Sequence, residues 1–74
     1  MYKAIYNRYG TTYSEELPSH VECKEYLEYG SEAGEFMDIA IVDSDYTILW
    51  YNDFLKYHEV VNIVQDYEKN QTKD

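Results

Sequence analysis

At 74 residues with 45% hydrophobic content, the chain has material for one small domain over residues 1–74, whose single core supplies only about 3–5 kcal/mol. Fifteen Asp and Glu against six Lys and Arg leave a net charge of −9, which excludes a protein that grips nucleic-acid phosphates with its own side chains. One cysteine excludes an internal disulfide framework and a multi-cysteine zinc site, and 18% aromatic content with ten Tyr excludes a disordered acidic tail.

The first residues lack the apolar run and small-residue cleavage site of a secretory signal, and no stretch approaches the roughly 18 apolar residues of a membrane span. The expectation is a cytoplasmic protein. Tyr2 to Arg8 alternates, with Tyr2, Ala4 and Tyr6 on one face and Lys3, Ile5 and Asn7 on the other, which predicts a strand ending at Tyr9-Gly10. Thr11 to Pro18 has no sustained period and reads as a connecting loop. Ser19 followed three residues later by Glu22 fits a capping box and predicts a helix start. At 100° per residue, Cys23, Tyr26, Leu27 and Gly30 fall on one side of that helix, and Glu22, Glu25, Glu28, Tyr29 and Glu32 on the other. Gly30 and Gly34 bracket its end, where left-handed caps favour a residue without Cβ.

From Glu35 to Asn52 the period becomes two, with Met37, Ile39 and Ile41 on one face, Tyr46, Ile48 and Trp50 on one face, and Asp43-Ser44-Asp45 between the runs. This predicts a hairpin with Ile41 opposite Ile48 and Ile39 opposite Trp50. From Asp53 to about Lys69, Phe54, Tyr57, Val60, Val61, Val64 and Tyr67 share one helical arc, predicting a helix capped by Asn52 or Asp53. The β-branched run from Val60 to Val64 also suits a strand, and Ile63 falls off the apolar arc. Residues 70–74 read as a frayed terminus. The order strand, helix, hairpin, helix predicts an α+β domain of type β-α-β-β-α, with two helices on one face of a three-stranded sheet. The expected core is Ile5, Cys23, Leu27, Ile39, Ile41, Ile48, Trp50, Phe54, Val61 and Val64.

Nothing in the chain spells out a reaction. His20 and His58 sit on different predicted helices with no HxxxH or CxxC partner, so no metal site is expected. Cys23 is three residues from His20 but lies on the core side, where cysteine acts as a small hydrophobe. Catalytic carboxylate pairs need a desolvated pocket that a domain of this size seldom encloses, and Gly10, Gly30 and Gly34 form no phosphate-cradling loop. The expectation is a non-enzyme without cofactor.

The acidity is local. Residues 15 to 38 carry Glu15, Glu16, Glu22, Glu25, Glu28, Glu32, Glu35 and Asp38 against Lys24 alone, a net of −7, while the rest of the chain nets −2. Glu22, Glu25, Glu28 and Glu32 step along one helix face at about 5–6 Å intervals, near the spacing of phosphates along a strand. Like charges so placed cost the helix a few tenths of a kcal/mol per pair. A charged face serves solubility without any partner. Tyr29, however, stands among these acids, and Tyr is enriched at interfaces. These eight acids and Tyr29 are the candidate partner-binding residues.

In size, charge and a carboxylate-bearing helix, the chain resembles the small acidic inhibitor proteins of phages and mobile elements that imitate DNA, such as anti-CRISPR proteins and inhibitors of uracil-DNA glycosylase. The resemblance is one of class, carried by residues 15 to 38, with no shared signature string. It implies a host nucleic-acid-binding protein as partner, for instance a CRISPR nuclease or a DNA-repair enzyme, with no direct nucleic-acid or membrane contact. A second reading is a homodimeric adaptor that pairs through an open sheet face of Ala40, Val42, Leu49 and Tyr51.

Overall fold

A computed structural model describes residues 1–72 of the chain. The elements run β1 (Tyr2–Arg8), β2 (Thr11–Leu17), α1 (His20–Glu32), β3 (Met37–Val42), β4 (Ile48–Tyr51) and α2 (Tyr57–Thr72). The four strands form one antiparallel sheet in the order β2-β1-β3-β4. The α+β class holds, but the sheet has four strands rather than three. The extra strand is β2, over residues read from the sequence as a loop.

Local chemistry explains that difference. Tyr9 and Gly10 both take positive φ, 53° and 80°, the combination that turns a hairpin tightly enough to return β2 directly onto β1. The Asn7 side chain accepts from the Gly10 amide at 3.2 Å and holds the turn. As an edge strand, β2 buries little, so its Thr-Thr-Tyr-Ser-Glu-Glu run shows no apolar alternation. Backbone pairing with β1 fixes it instead, from Tyr2 opposite Leu17 to Arg8 opposite Thr11.

The two helices pack on opposite faces of the sheet, not on one. Ala4 and Ile41 face α1 and bury Cys23 and Leu27. Ile5, Ala40 and Val42 point the other way and bury Val60 and Val64 of α2. The alternation of β1 expected from sequence is therefore real, and each of its faces has its own helix. A sheet apolar on both sides cannot leave one side to water, and two helices suffice to cover both. Ser14 of β2 and Tyr67 of α2 share a hydroxyl hydrogen bond of 2.7 Å across the second layer.

Two bulges shift the sheet register, one between β1 and β3 and one in the β3–β4 hairpin. Ile5 pairs with Ala40 and Tyr6 with Asp38, so Ile39 is an extra residue and shares the α2 side with Ala40. In β4 the pairs are Ile41 with Trp50 and Val42 with Ile48, leaving Leu49 extra. The expected pairs, Ile41 with Ile48 and Ile39 with Trp50, do not form. Each bulge sends the residues beyond it to the other face, so Ile39 and Ile41 separate into different layers, as do Ile48 and Trp50. The β3–β4 loop is held by the Asp43 carboxylate, which accepts from the amides of Asp45 and Thr47, each at 2.9 Å.

α2 begins later than expected. Asn52 does not cap it but closes a turn: its Oδ1 accepts from the Phe54 amide at 3.0 Å and its carbonyl from the Leu55 amide. The helix opens at Lys56, whose amide donates to Glu59 Oε1 at 3.1 Å. Phe54 is consequently on the surface, 96% exposed, and leaves the expected core. Ile48, Trp50 and Val61 are half-buried, while Ala4, Ala40, Val42 and Val60 are fully buried in addition to the expected residues. The segment from Val60 to Val64 is helical, and α2 extends through Thr72. The frayed terminus expected over 70–74 thus overlaps the helix at 70–72, and Lys73 and Asp74 lie outside the described residues.

Candidate functional site

The candidate site is the solvent side of α1. Ser19 starts the helix, its Oγ accepting from the Glu22 amide at 3.1 Å. The helix ends in a Schellman arrangement: the Glu35 amide donates to the Gly30 carbonyl at 2.9 Å, and the Gly34 amide to Ser31 at 3.1 Å, with Gly34 at φ 73°. Gly34 is therefore the left-handed cap expected of it. Gly30 is not. It lies inside the helix, buried, and the Phe36 ring occupies the space its Cβ would need.

That ring anchors the helix. Phe36 stacks on Tyr6 at 4.2 Å between centroids and on Tyr26 at 5.6 Å, and Tyr13 of β2 stacks on the far side of Tyr6 at 5.7 Å. An aromatic row thus ties β2, β1 and α1 to the segment entering β3. Tyr26 belongs to it and faces the core half of the helix. Burial pushes its hydroxyl up to about 12, with the neighbouring Tyr6 hydroxyl and the charges of Glu15 and Glu35 adding to the shift. On the buried side, desolvation raises the Cys23 thiol above its ordinary value, with Glu22 contributing. Cys23 is fully buried and packs with Ala4, Leu27 and Ile41.

With the inner side pinned, the outer side is set by the helical period. Val21, Glu25, Glu28 and Glu32 fall along its centre, with Glu22 and Tyr29 on the flank toward Tyr26. All six are exposed, Tyr29 by 72% and Val21 by 64%. From Glu22 to Glu32 the row extends about 15 Å at the helical rise. Lys24, on the opposite flank, lies 3.7 Å from Glu28 and 4.9 Å from the Trp50 ring centroid. An exposed pair at that distance is worth little and leaves the face strongly negative.

The nine residues singled out in the sequence do not all join this surface. Glu22, Glu25, Glu28, Tyr29 and Glu32 share it. Glu15, two registers along β2 from Tyr13, is on the α1 side of the sheet, and both it and exposed Glu35 act electrostatically on Tyr26, at the margin of the same face. Glu16 points to the other side of β2 and pairs with Lys3 at 3.2 Å, and Lys3 also lies over the Tyr46 ring. Asp38 belongs to the β3–β4 corner, where its carboxylate and carbonyl both accept from Asn52 Nδ2, at 3.2 and 3.0 Å. Val21 was placed neither in the core nor on this face by the sequence reading, which followed the charged residues of the helix. Its position four residues before Glu25 is the signal that places it outside.

The open sheet face suggested for Ala40, Val42, Leu49 and Tyr51 does not exist, because α2 covers it: Ala40 and Val42 are fully buried and Tyr51 packs at the margin. Only Leu49, displaced by its bulge, stays outside. Among the described residues no three His, Cys, Asp or Glu side chains converge as metal ligands, and no helix is long and apolar enough to cross a membrane. Compared with known protein families, with curated proteins and with solved structures, the chain matches none.

Proposed function

We propose that this chain is a non-enzymatic inhibitor that occupies the basic nucleic-acid groove of a host nucleic-acid enzyme, its α1 carboxylates meeting the Lys and Arg side chains that would otherwise hold phosphates. The observation that carries the reading is the outer face of α1: Glu22, Glu25, Glu28 and Glu32 all exposed, on one rigid helix, with Tyr29 and Val21 exposed among them. A solubility device has no use for an exposed Val at the centre of the face and an exposed Tyr on its flank, whereas an interface gains contact area from them. Concentrated carboxylates also speed encounter with a basic channel, which suits a competitor of DNA. Such a protein acts where its target acts, in the cytoplasm of a host cell, in the manner of the phage and mobile-element inhibitors that it resembles in class.

The test is retention of host nucleic-acid-binding proteins on immobilised chain, compared with the Glu25→Lys/Glu28→Lys variant. Both positions face solvent, so the variant keeps its fold by circular dichroism. The proposal expects the retained protein to elute as salt rises, because exposed charges are screened within about 10 Å at 0.1 M. It also expects displacement by duplex or single-stranded DNA and loss of retention with the double variant. A partner that stays bound when already loaded with DNA, or that tolerates the double reversal, would refute it.

A further inference from the structure

We infer that the outer edge of β4 is a docking surface for a second copy of this chain, strand against strand. The sheet has two edges, and they are built differently. β2 carries Glu15 and Glu16 and is polar along most of its length, the usual guard against strand addition. β4, Ile48-Leu49-Trp50-Tyr51, carries no charge at all. Beside it lies an open groove of about 410 Å³ lined by Ile48, Leu49, Trp50, Tyr51, Asp53 and Tyr57. Leu49 is 44% exposed, Tyr57 55% and Phe54 96%.

Phe54 is held out deliberately. Its amide bonds to Asn52 Oδ1, and the Asn52 amide group is in turn fixed by both oxygens of Asp38 that face it. The largest apolar side chain at this corner thus sits on a hydrogen-bonded turn rather than a loose loop. If Phe54, Tyr57 and Leu49 were covered, they would contribute roughly 400 Å² per copy, near half of the about 800 Å² that each side of a stable interface buries.

Charge selects the occupant. From Tyr46 to Tyr57 the only charged residues are Asp53 and Lys56, and the Lys24 side chain that reaches Trp50 from α1 is paired with Glu28, so this patch carries no net charge on a chain of net −9. A basic partner is drawn to α1, whereas a second copy, itself acidic, meets least repulsion here. Antiparallel pairing of β4 with its own copy places the two-fold axis perpendicular to the sheet, so each face continues across the join. Both α1 helices then lie on one side, about 20 Å apart at the strand spacing, which is roughly two screening lengths at 0.1 M salt.

That geometry gives self-association a salt dependence opposite in sign to partner binding. In equilibrium sedimentation of the intact chain, the proposal expects a monomer–dimer equilibrium whose dissociation constant falls about threefold or more between about 0.05 and 0.5 M NaCl. Phe54→Glu and, separately, Leu49→Lys should each raise that constant about tenfold or more while keeping the wild-type circular dichroism, both side chains being exposed in the monomer. Amide exchange at residues 48–51 should slow as protein concentration rises. A wild-type chain still monomeric at about 300 µM in the higher salt would overturn the proposal and leave the edge to a strand of some other protein. Dimers that form equally well in both variants, or without added protection of β4, would overturn it as well.

Discussion

Replacing Gly30 by Ala in the middle of α1 should destabilise the protein, against the rule for helix interiors. By propensity alone the change gains about 1 kcal/mol, since Ala is the best helix former and Gly among the worst. The Gly30 backbone is ordinary helix, so nothing in φ opposes it. The obstacle is Phe36: an added Cβ would collide with the edge of the ring, 2.7 Å from Cε1 and closer to Cε2 and Cζ. The ring cannot simply swing aside, because it stacks on Tyr6 at 4.2 Å and Tyr26 at 5.6 Å. Losing those two pairs at about 0.5–1.5 kcal/mol each, with about 1 kcal/mol of burial for a partly buried ring, outweighs the propensity gain and leaves a net cost of about 1–3 kcal/mol. Urea unfolding followed by circular dichroism measures it as a lowered midpoint at unchanged slope. The decisive comparison is a cycle with Phe36→Ala. In that background the space is open and Gly30→Ala should turn stabilising, by about 0.5–1 kcal/mol. If Gly30→Ala stabilises the wild-type chain, or has the same sign in both backgrounds, the anchoring of α1 through Phe36 is wrong.

Tyr26 makes stability depend on alkaline pH. Its folded pKa of about 12 exceeds the ordinary 10, so the folded state holds the proton more tightly. Its contribution is complete below pH 10 and disappears as pH rises through 12, and Tyr26→Phe should show a shallower loss across that window in chemical denaturation. An identical slope in both proteins would refute the assignment. At the β1–β2 turn, Tyr9 sits at φ 53° and is 94% exposed, so little offsets the left-handed backbone beyond an exposed contact of its ring with the Arg8 guanidinium, 5.7 Å from the centroid. Tyr9→Asn should therefore raise stability by about 1 kcal/mol in thermal or urea unfolding, and a loss would show that the Arg8 contact outweighs the backbone strain.

The period of hydrophobic residues along single elements, with local capping chemistry, was enough to read β1, both helices and the existence of the β3–β4 hairpin. Ser19 caps α1 as its spacing with Glu22 implies, and the exposed acids of α1 are where a 100° step puts them. These are properties of neighbours along the chain. β2 was illegible because an edge strand is specified by backbone pairing with β1, and backbone groups are the same whatever the sequence. Bulges at Ile39 and Leu49 were equally hidden, since an extra residue is visible only against the partner strand it fails to match, and they decide which residues share a face. Glu16 and Asp38 belonged to the acidic set by sequence. Tertiary structure removed them, through Lys3 on the other side of the sheet and Asn52 at the β4 corner. The same long-range packing put α2 over the face read from the sequence as open and left the β4 edge, with Phe54 turned outward, as an uncovered apolar surface. Composition and period along the chain determine what each segment buries; which segment meets it is settled only when the layers close.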